Sequence, residues 1–202
     1  MKIAILMEGE TEKVFLPYLR DFLSPRLPGK MPRLISSVYD GRIPKQEKLK
    51  RRVEVLLRGE NPDADQVIAL TDVYTGSNDF QDAADAKQKM RIWVGPNDRF
   101  HAHVAQHDFE AWLLPYWPAI QELARHNRTA PAGKPESVNH SHPPSYHIQA
   151  IFRTGQGPRH YTKTRDAKRI LQGKDLSVAA AACPELRALL NTILTLSEGD
   201  PI

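Results

Sequence analysis

Ile3-Ala4-Ile5-Leu6-Met7-Glu8-Gly9-Glu10-Thr11-Glu12 sets a five-residue apolar run directly before a carboxylate, a glycine and two further carboxylates. A short continuous apolar run closed by a turn signal predicts a buried strand, here over residues 2–7. Phe15, Leu19, Phe22 and Leu23 then recur at helical spacing, which predicts a helix over 11–24. Pro17 falls inside that pattern and predicts a kink or a late helix start. Carboxylates grouped where a strand turns into a helix repel one another and lose hydration unless something positive compensates them. A divalent cation held by oxygen ligands is the commonest compensation. The motif therefore matters most if other carboxylates arrive at the same place.

Further along, a loop rich in Pro and Gly (Pro25, Pro28, Gly29, Pro32) precedes a strand over Leu34–Val38 and a turn at Asp40-Gly41. A basic helix is predicted from Lys45 to Leu57, with Leu49, Val53, Leu56 and Leu57 on one face. Val67–Leu70 reads as a short buried strand ending at Thr71-Asp72, followed by the polar turn Thr75-Gly76-Ser77-Asn78 and a helix over Asp79–Trp93. Phe100–Ala105 is a strand, and His107–Leu114 begins a helix that Pro115 and Pro118 interrupt. Residues 127–146, rich in Pro, Ser, Asn and His, read as a surface excursion, and the remainder is helical. Alternating strands and helices predict an α/β fold, a mainly parallel sheet flanked by helices with a helical C-terminal part. One domain over 1–202 is expected, with an acidic α/β core in 1–125 and a loop and helical extension in 126–202.

Composition narrows the class. With 202 residues, 41% of them apolar, the chain can build one packed core, and no run of about twenty apolar residues is present to cross a membrane. The N-terminal apolar run is too short for a signal peptide. A single cysteine, Cys183, precludes an intramolecular disulfide and suits a reducing cytoplasm. The net charge of +4 hides an uneven distribution. Arg42, Lys45, Lys48, Lys50, Arg51, Arg52 and Arg58 outweigh Glu47 and Glu54 to give +5 over residues 42–58. Arg153, Arg159, Lys163, Arg165, Lys168, Arg169 and Lys174 against Asp166 give +6 over 153–174, which leaves −7 on everything else. An acidic remainder with two basic segments fits an acidic metal centre beside phosphate-binding surface; solvated helix faces account for either segment alone equally well.

In open α/β sheets, ligands gather beyond the carboxyl ends of the strands. Three predicted strands end in acids: the first at Glu8, the third at Asp72, and the fourth just before Asp108 and Glu110. Glu12 lies one helical turn beyond Glu8 and shares its space if the helix starts near Glu10, which itself is expected to face solvent. Glu8 alone could simply complement a helix N-terminus. The convergence of three acidic strand ends is the stronger signal.

Glu8-Gly9-x-Thr11-Glu12, an Asp ending a later strand and an x-Glu110-x-Trp112-Leu113-Leu114 segment resemble the Toprim fold of topoisomerases, primases and the nuclease domains of overcoming-lysogenization-defect proteins. Nearly the whole chain is similar to a bacterial Toprim-like family related to those nucleases, domain of unknown function four-two-seven-six. Leu70-Thr71-Asp72-Val73-Tyr74, His107-Asp108-Phe109-Glu110, Pro135-Glu136-x-Val138-Asn139 and Tyr161-x-Lys163-x-x-Asp166-Ala167 also carry the resemblance. It implies Mg²⁺ or Mn²⁺ and phosphodiester chemistry, with Glu8, Glu12, Asp72, Asp108 and Glu110 as metal ligands. Glu8, Glu110 and Lys163 would be catalytic, Lys163 neutralising charge on the phosphate. Tyr74 replaces the second acid of the Asp-x-Asp motif, so either one metal site is weakened or Asp108 supplies the missing oxygen. Further implications are nucleic acid as substrate, DNA before RNA, and a separate ABC/AAA-type ATPase partner in a defence system against phage or plasmid DNA. Oligomerisation is left open.

Lys45, Lys48, Arg51 and Arg52 on the basic helix, with Arg159 and Lys163, are the expected contacts to nucleic-acid backbone, made without reading sequence. His101, His103 and His107 allow three readings: a zinc site, the least favoured of them; a histidine, chiefly His107, lining the carboxylate site together with Tyr74; or structural roles. Trp112, Leu113 and Trp117 have core spacing, and His140 and His142 are surface residues. No phosphate-binding P-loop and no Gly-x-Ser-x-Gly nucleophile elbow occurs. The runner-up to a nuclease is a catalytically weak Toprim-like subunit that binds nucleic acid or docks on an ATPase, which Tyr74 favours.

Overall fold

The computed structural model describes residues 1–39, 41–73, 79–139, 141–157 and 160–202. The opening apolar run forms β1 (Lys2–Met7), in which Ile3 through Met7 are all buried. It lies inside a four-stranded sheet of order β2-β1-β3-β4, with β2 Arg33–Val38, β3 Gln66–Val73 and β4 Phe100–Gln106, and every pairing is parallel. Burial on both faces explains why β1 and β3 read as continuous apolar runs rather than alternating ones. β3 extends past the predicted Leu70 because its ladder with β4 continues through Asp72 opposite Ala105 and Val73 opposite Gln106.

On one face Ala4, Leu6, Val67 and Ala69 pack against α2 (Glu47–Leu57) and α3 (Ala83–Val94). The four apolar positions predicted for α2 are all buried there. α3 starts later than the predicted Asp79, since the Asp82 side chain caps it by accepting from the Asp85 amide, 2.8 Å. Asp79 is occupied elsewhere, by Lys45 and Arg42.

The other face carries Ile3, Ile5, Met7, Ile68 and Leu70 against α1 (Glu10–Leu23) and the C-terminal helices. Pro17 does not delay the helix, which already starts at Glu10. It sits inside α1 on an exposed position, where water can satisfy the carbonyl that the ring leaves unpaired. The predicted helix after His107 is a 3-10 helix, Phe109–Tyr116, that hands over to α4 (Trp117–Ala124), with Pro118 near its start where a missing N–H costs nothing. Trp112, Leu113 and Trp117 are core residues.

The excursion 127–146 is not all surface. Glu136 and Val138 are buried, because the Glu136 carboxylate accepts from Trp112 Nε1 at 3.0 Å and from the Glu185 and Leu186 amides at the start of a later helix. The remaining helices are α5 (Pro144–Thr154), α6 (Lys163–Leu171), α7 (Leu176–Ala182) and α8 (Pro184–Leu196). Cys183 is buried, which pushes its thiol pKa up. Among the described residues, no helix is long and apolar enough to cross a membrane.

Candidate metal centre

The parallel register aligns the carboxyl ends of β1, β3 and β4, and the acids named from sequence are placed there. Glu8 directly follows β1, Asp72 is the penultimate residue of β3, and Asp108 lies two residues beyond β4. Glu12 stands in the first turn of α1 and Glu110 in the 3-10 helix. A cleft of about 640 Å³ is bordered by Glu8, Glu12, Asp72, Arg42 and Lys163. Glu10 also borders the cleft, but it is exposed there and pairs with Lys13 at 3.3 Å.

Local structure holds these side chains. The Thr71 hydroxyl, one residue before Asp72, donates to Glu8 Oε1 and ties the ends of β1 and β3 together. Gly9 enters α1 in an extended conformation, and a Cβ there would sit 3.1 Å from Glu12 Oε2. The glycine therefore gives the Glu12 carboxylate its room. Asp108 and Glu110 are fully buried. The Ser145 amide donates to Asp108 Oδ2 at 3.1 Å, while Tyr161 Oη and Lys163 Nζ each approach an oxygen of Glu110 at 3.3 Å.

The segment from Tyr161 to Asp166 shows why its spacing matters. Asp166, buried, accepts from the Thr162 amide at 2.7 Å and pairs with Arg165 and Arg169, while its own amide donates to the Thr162 carbonyl at 2.8 Å. The Asp166 carboxylate, reaching back to the Thr162 amide, fixes the start of α6 and sets Tyr161 and Lys163 over Glu110.

Charge repulsion is the dominant property of the site. Burial, and then the charges of Glu12, Glu8, Asp108 and Glu110, raise the Asp72 pKa well above the usual carboxylate range. Burial raises Glu8, Glu12 and Asp108 as well; the Thr71 hydrogen bond opposes the shift at Glu8 and Ser145 opposes it at Asp108. Glu110 is pushed up to about 7 by burial and by Asp108, with Lys163 acting the other way. Burial alone would lower the Lys163 ammonium, but Glu110, Asp108 and Asp72 outweigh it and raise its pKa.

The donors suit a hard divalent cation: all are carboxylate oxygens, and Glu12 Oε2 and Asp108 Oδ1 are buried with no hydrogen-bond donor. Among the described residues no three His, Cys, Asp or Glu side chains already stand at ligand spacing. His101 Nε2 contacts Gln66 Oε1 at 3.0 Å, and burial lowers the His103 pKa to about 3. His107 is buried beside Asp108 at φ +69°, its amide extending the β3 ladder to the Val73 carbonyl at 2.8 Å. Burial lowers its pKa, and Asp108 pulls the other way.

Of the expected backbone contacts, Lys48 and Arg51 are exposed on α2, Lys45 pairs with Asp79 at 2.6 Å, and Arg52 Nη2 reaches Ser37 Oγ at 3.4 Å. Tyr74, Arg159 and His140 lie outside the described residues. Sequence reasoning missed Thr71, Ser145 and Tyr161. Tyr161 could have been found from its place two residues before Lys163 in the same segment; nothing local marks Ser145, which comes from 37 residues beyond Asp108.

The profile of a family described as "Domain of unknown function (DUF4276)" matches residues 7–194. Among curated proteins no sequence matches. Among solved structures, the chain is similar to the C-terminal region of the Burkholderia pseudomallei OLD protein, with a TM-score of 0.56 at 12% identity, covering 97% of this chain and 98% of that one. The C-terminal region of the Xanthomonas campestris pv. campestris OLD protein is also similar, with a TM-score of 0.44 at 14% identity over 94% and 93% of the two chains. At that identity the first likeness establishes a shared α/β fold, a parallel sheet flanked by helices.

Proposed function

The chain belongs to the DUF4276 family, and we propose that it is a metal-dependent nuclease, or a related phosphodiester-cleaving enzyme, acting on nucleic acid, DNA before RNA. One observation carries this reading: Glu8, Glu12, Asp72, Asp108 and Glu110 crowd the carboxyl ends of three parallel strands, and the other four all raise the pKa of Asp72. Such mutual repulsion is costly in the metal-free chain and is relieved by a cation.

Mg²⁺ or Mn²⁺, when bound, would supply Lewis-acid polarisation of the phosphate and an activated water. Glu8, Glu12, Asp72, Asp108 and Glu110 would hold it. Lys163 would neutralise charge building on the phosphoryl oxygens, and its half-exposed ammonium faces the cleft from which substrate enters. In the metal-free chain burial and Asp108 push the Glu110 carboxyl up to about 7, and a bound cation would favour its ionised form. Tyr161 would orient that carboxylate through its hydroxyl. Lys45, Lys48, Arg51 and Arg52 would hold flanking backbone, with Arg159 and Lys163 near the chemistry. A separate ABC/AAA-type ATPase partner and a defence role rest on the family resemblance alone.

The test is cleavage of plasmid DNA and of RNA in Mg²⁺ or Mn²⁺, beside Glu8→Ala and Glu110→Ala. Loss in both variants supports the site, and unchanged activity in both overturns it. A second reading, a catalytically weak binding subunit, is favoured by Tyr74 at the position of an expected acid. It requires nucleic-acid binding with no cleavage in any metal.

A further inference from the structure

β2 is an edge strand, paired only with β1. Between its outer side and α2 lies a second cleft, of about 490 Å³, bordered by Lys2, Arg33, Ser37, Arg52 and Asp63 among others. Three cations face one acid there. Lys2 is anchored by its backbone amide, which donates to Asp65 Oδ2 at 2.6 Å, while its ammonium donates to the Pro62 carbonyl. An ammonium has three donors, so a single carbonyl leaves it capacity for an anion. Arg33 and Arg52 form no ion pair among the described residues. Arg52 Nη2 makes one long bond, 3.4 Å, to Ser37 Oγ, and its Nε is buried without an acceptor. Arg52 is only partly buried, and the rest of its guanidinium fork, bordering the cleft, matches the paired oxygens of a phosphate.

Position gives this cleft its meaning. Ser37 borders it, and the next residue, Val38, borders the carboxylate cleft. From Arg33 to Val38 the strand rises by roughly 17 Å at about 3.3 Å per residue. Arg42, which borders the carboxylate cleft, and Lys45 are both tied to Asp79 and contribute less free positive charge. Lys2, Arg33 and Arg52 add positive charge along the sheet edge that no carboxylate engages within ion-pair distance among the described residues.

We propose that Lys2, Arg33 and Arg52 line a track that binds backbone phosphates of the same nucleic-acid strand whose scissile phosphate enters the carboxylate cleft. This rests on the nucleic-acid part of the function proposed above and extends it from Arg52 of the basic helix to Lys2 and Arg33, which that helix did not suggest.

The test reads binding, not cleavage. Anisotropy of a fluorescein-labelled single-stranded DNA oligonucleotide is titrated with the full chain in EDTA at several salt concentrations. The Arg33→Ala/Arg52→Ala double variant should bind about tenfold more weakly, and its salt slope should fall by about 1.4, two contacts at about 0.7 each on a single strand. Arg187→Ala with Lys134→Ala, which removes two exposed cations elsewhere, should leave both quantities unchanged. Unaltered binding in the double variant, or an equal loss in the control pair, overturns the track. So does a pocket that takes only small anions, seen as stabilisation by inorganic phosphate with oligonucleotide affinity unmoved by the double substitution. Arg33 is exposed, so Arg33→Glu alone repeats the test without risk to folding. Wild-type cleavage in Mg²⁺ or Mn²⁺ is scored separately, so an inactive protein with an intact track differs from an active one without it.

Discussion

Lys163, the first residue of α6, brings its ammonium within 3.3 Å of a carboxylate oxygen of Glu110, a side chain with 0% exposure. The two come from opposite ends of a 53-residue separation, and the cap at Asp166 is what sets the reach. A half-exposed cation above a buried acid screens it from Asp108 without removing it from the cleft. The pair is therefore placed to tune a proton and to meet a phosphate at the same time.

Replacing Lys163 with Met removes the charge that holds Glu110 down, so its pKa should climb above about 7. Cleavage should fall on the order of 100-fold. In EDTA, the Glu110 carboxyl followed by carbon-13 NMR should therefore titrate at higher pH in Lys163→Met than in wild type. Lys163→Arg should recover part of both effects. A Glu110 titration that keeps its midpoint in Lys163→Met would exclude the coupling.

Stability of the metal-free protein should depend on pH through the same acid. The folded pKa of Glu110 is raised from 4.5 to about 7, so between those values the native state holds a proton that the unfolded state has released. The unfolded state then binds fewer protons, and stability falls as pH rises across that window. Asp72 and Asp108, both raised chiefly by burial, act in the same direction. Melts in EDTA from pH 5 to pH 8 should show a falling midpoint, and Glu110→Gln should flatten the trend.

Mg²⁺ or Mn²⁺ should reverse that loss. A ligand at a hundred times its dissociation constant adds about 2.7 kcal/mol. For a domain of this size that corresponds to a rise of about 5–10 °C in melting midpoint. Asp72→Asn removes the acid on which the other four converge, so it should melt higher than wild type in EDTA and gain little from either metal. An equal metal-induced rise in wild type and Asp72→Asn would show that the ion binds elsewhere.

Much of this architecture is legible from local pattern. The strand β1, the apolar face of α2 and the three acidic strand ends follow from apolar runs and turn residues, because burial on both faces of a parallel sheet leaves that signature. What is not legible depends on partners distant in sequence. Asp79 looked like a helix start and instead binds Lys45 and Arg42, while Asp82 caps α3. Arg33 and Lys2 carry no local sign that they share a cleft with Arg52, since the strand pairing that brings them together is a tertiary fact. Glu136 shows the same limit. It sits in a stretch of surface composition, yet its carboxylate is buried against groups 24 to 50 residues away.

Glu136 separates structural acids from functional ones. Its oxygens receive Trp112 Nε1 and two amides at the start of α8, so Glu136→Ala leaves three buried donors unmatched. Destabilisation of about 2–4 kcal/mol is expected, or a midpoint about 5–15 °C lower. Cleavage per folded molecule should stay near wild type, in contrast to Glu8→Ala. A variant of normal stability with lost activity would move Glu136 into the site.

The join between α4 and α5 rests on a glycine for reasons of space. Gly155 follows α5 with φ −78°, a conformation open to any residue, so its backbone angles do not demand glycine. Its Cα instead lies against the end of α4: a Cβ there would overlap the Ala124 carbonyl oxygen and come within 3.1 Å of the Ile151 carbonyl oxygen. Both obstacles are backbone, which cannot swing aside like the end of a side chain. The Gly157 amide fastens the same approach by donating to the Ala124 carbonyl at 3.0 Å. Gly155→Ala should therefore cost at least ~3 kcal/mol, beyond ordinary overpacking of a side-chain core. Gly29→Ala provides the contrast, since nothing lies within 4 Å of the added carbon and no positive φ is involved. That change should be neutral or stabilise by up to about 1 kcal/mol through the unfolded chain. Denaturant melts of the two variants measure the difference, and equal midpoints would show that α4 and α5 do not hold this close approach in solution.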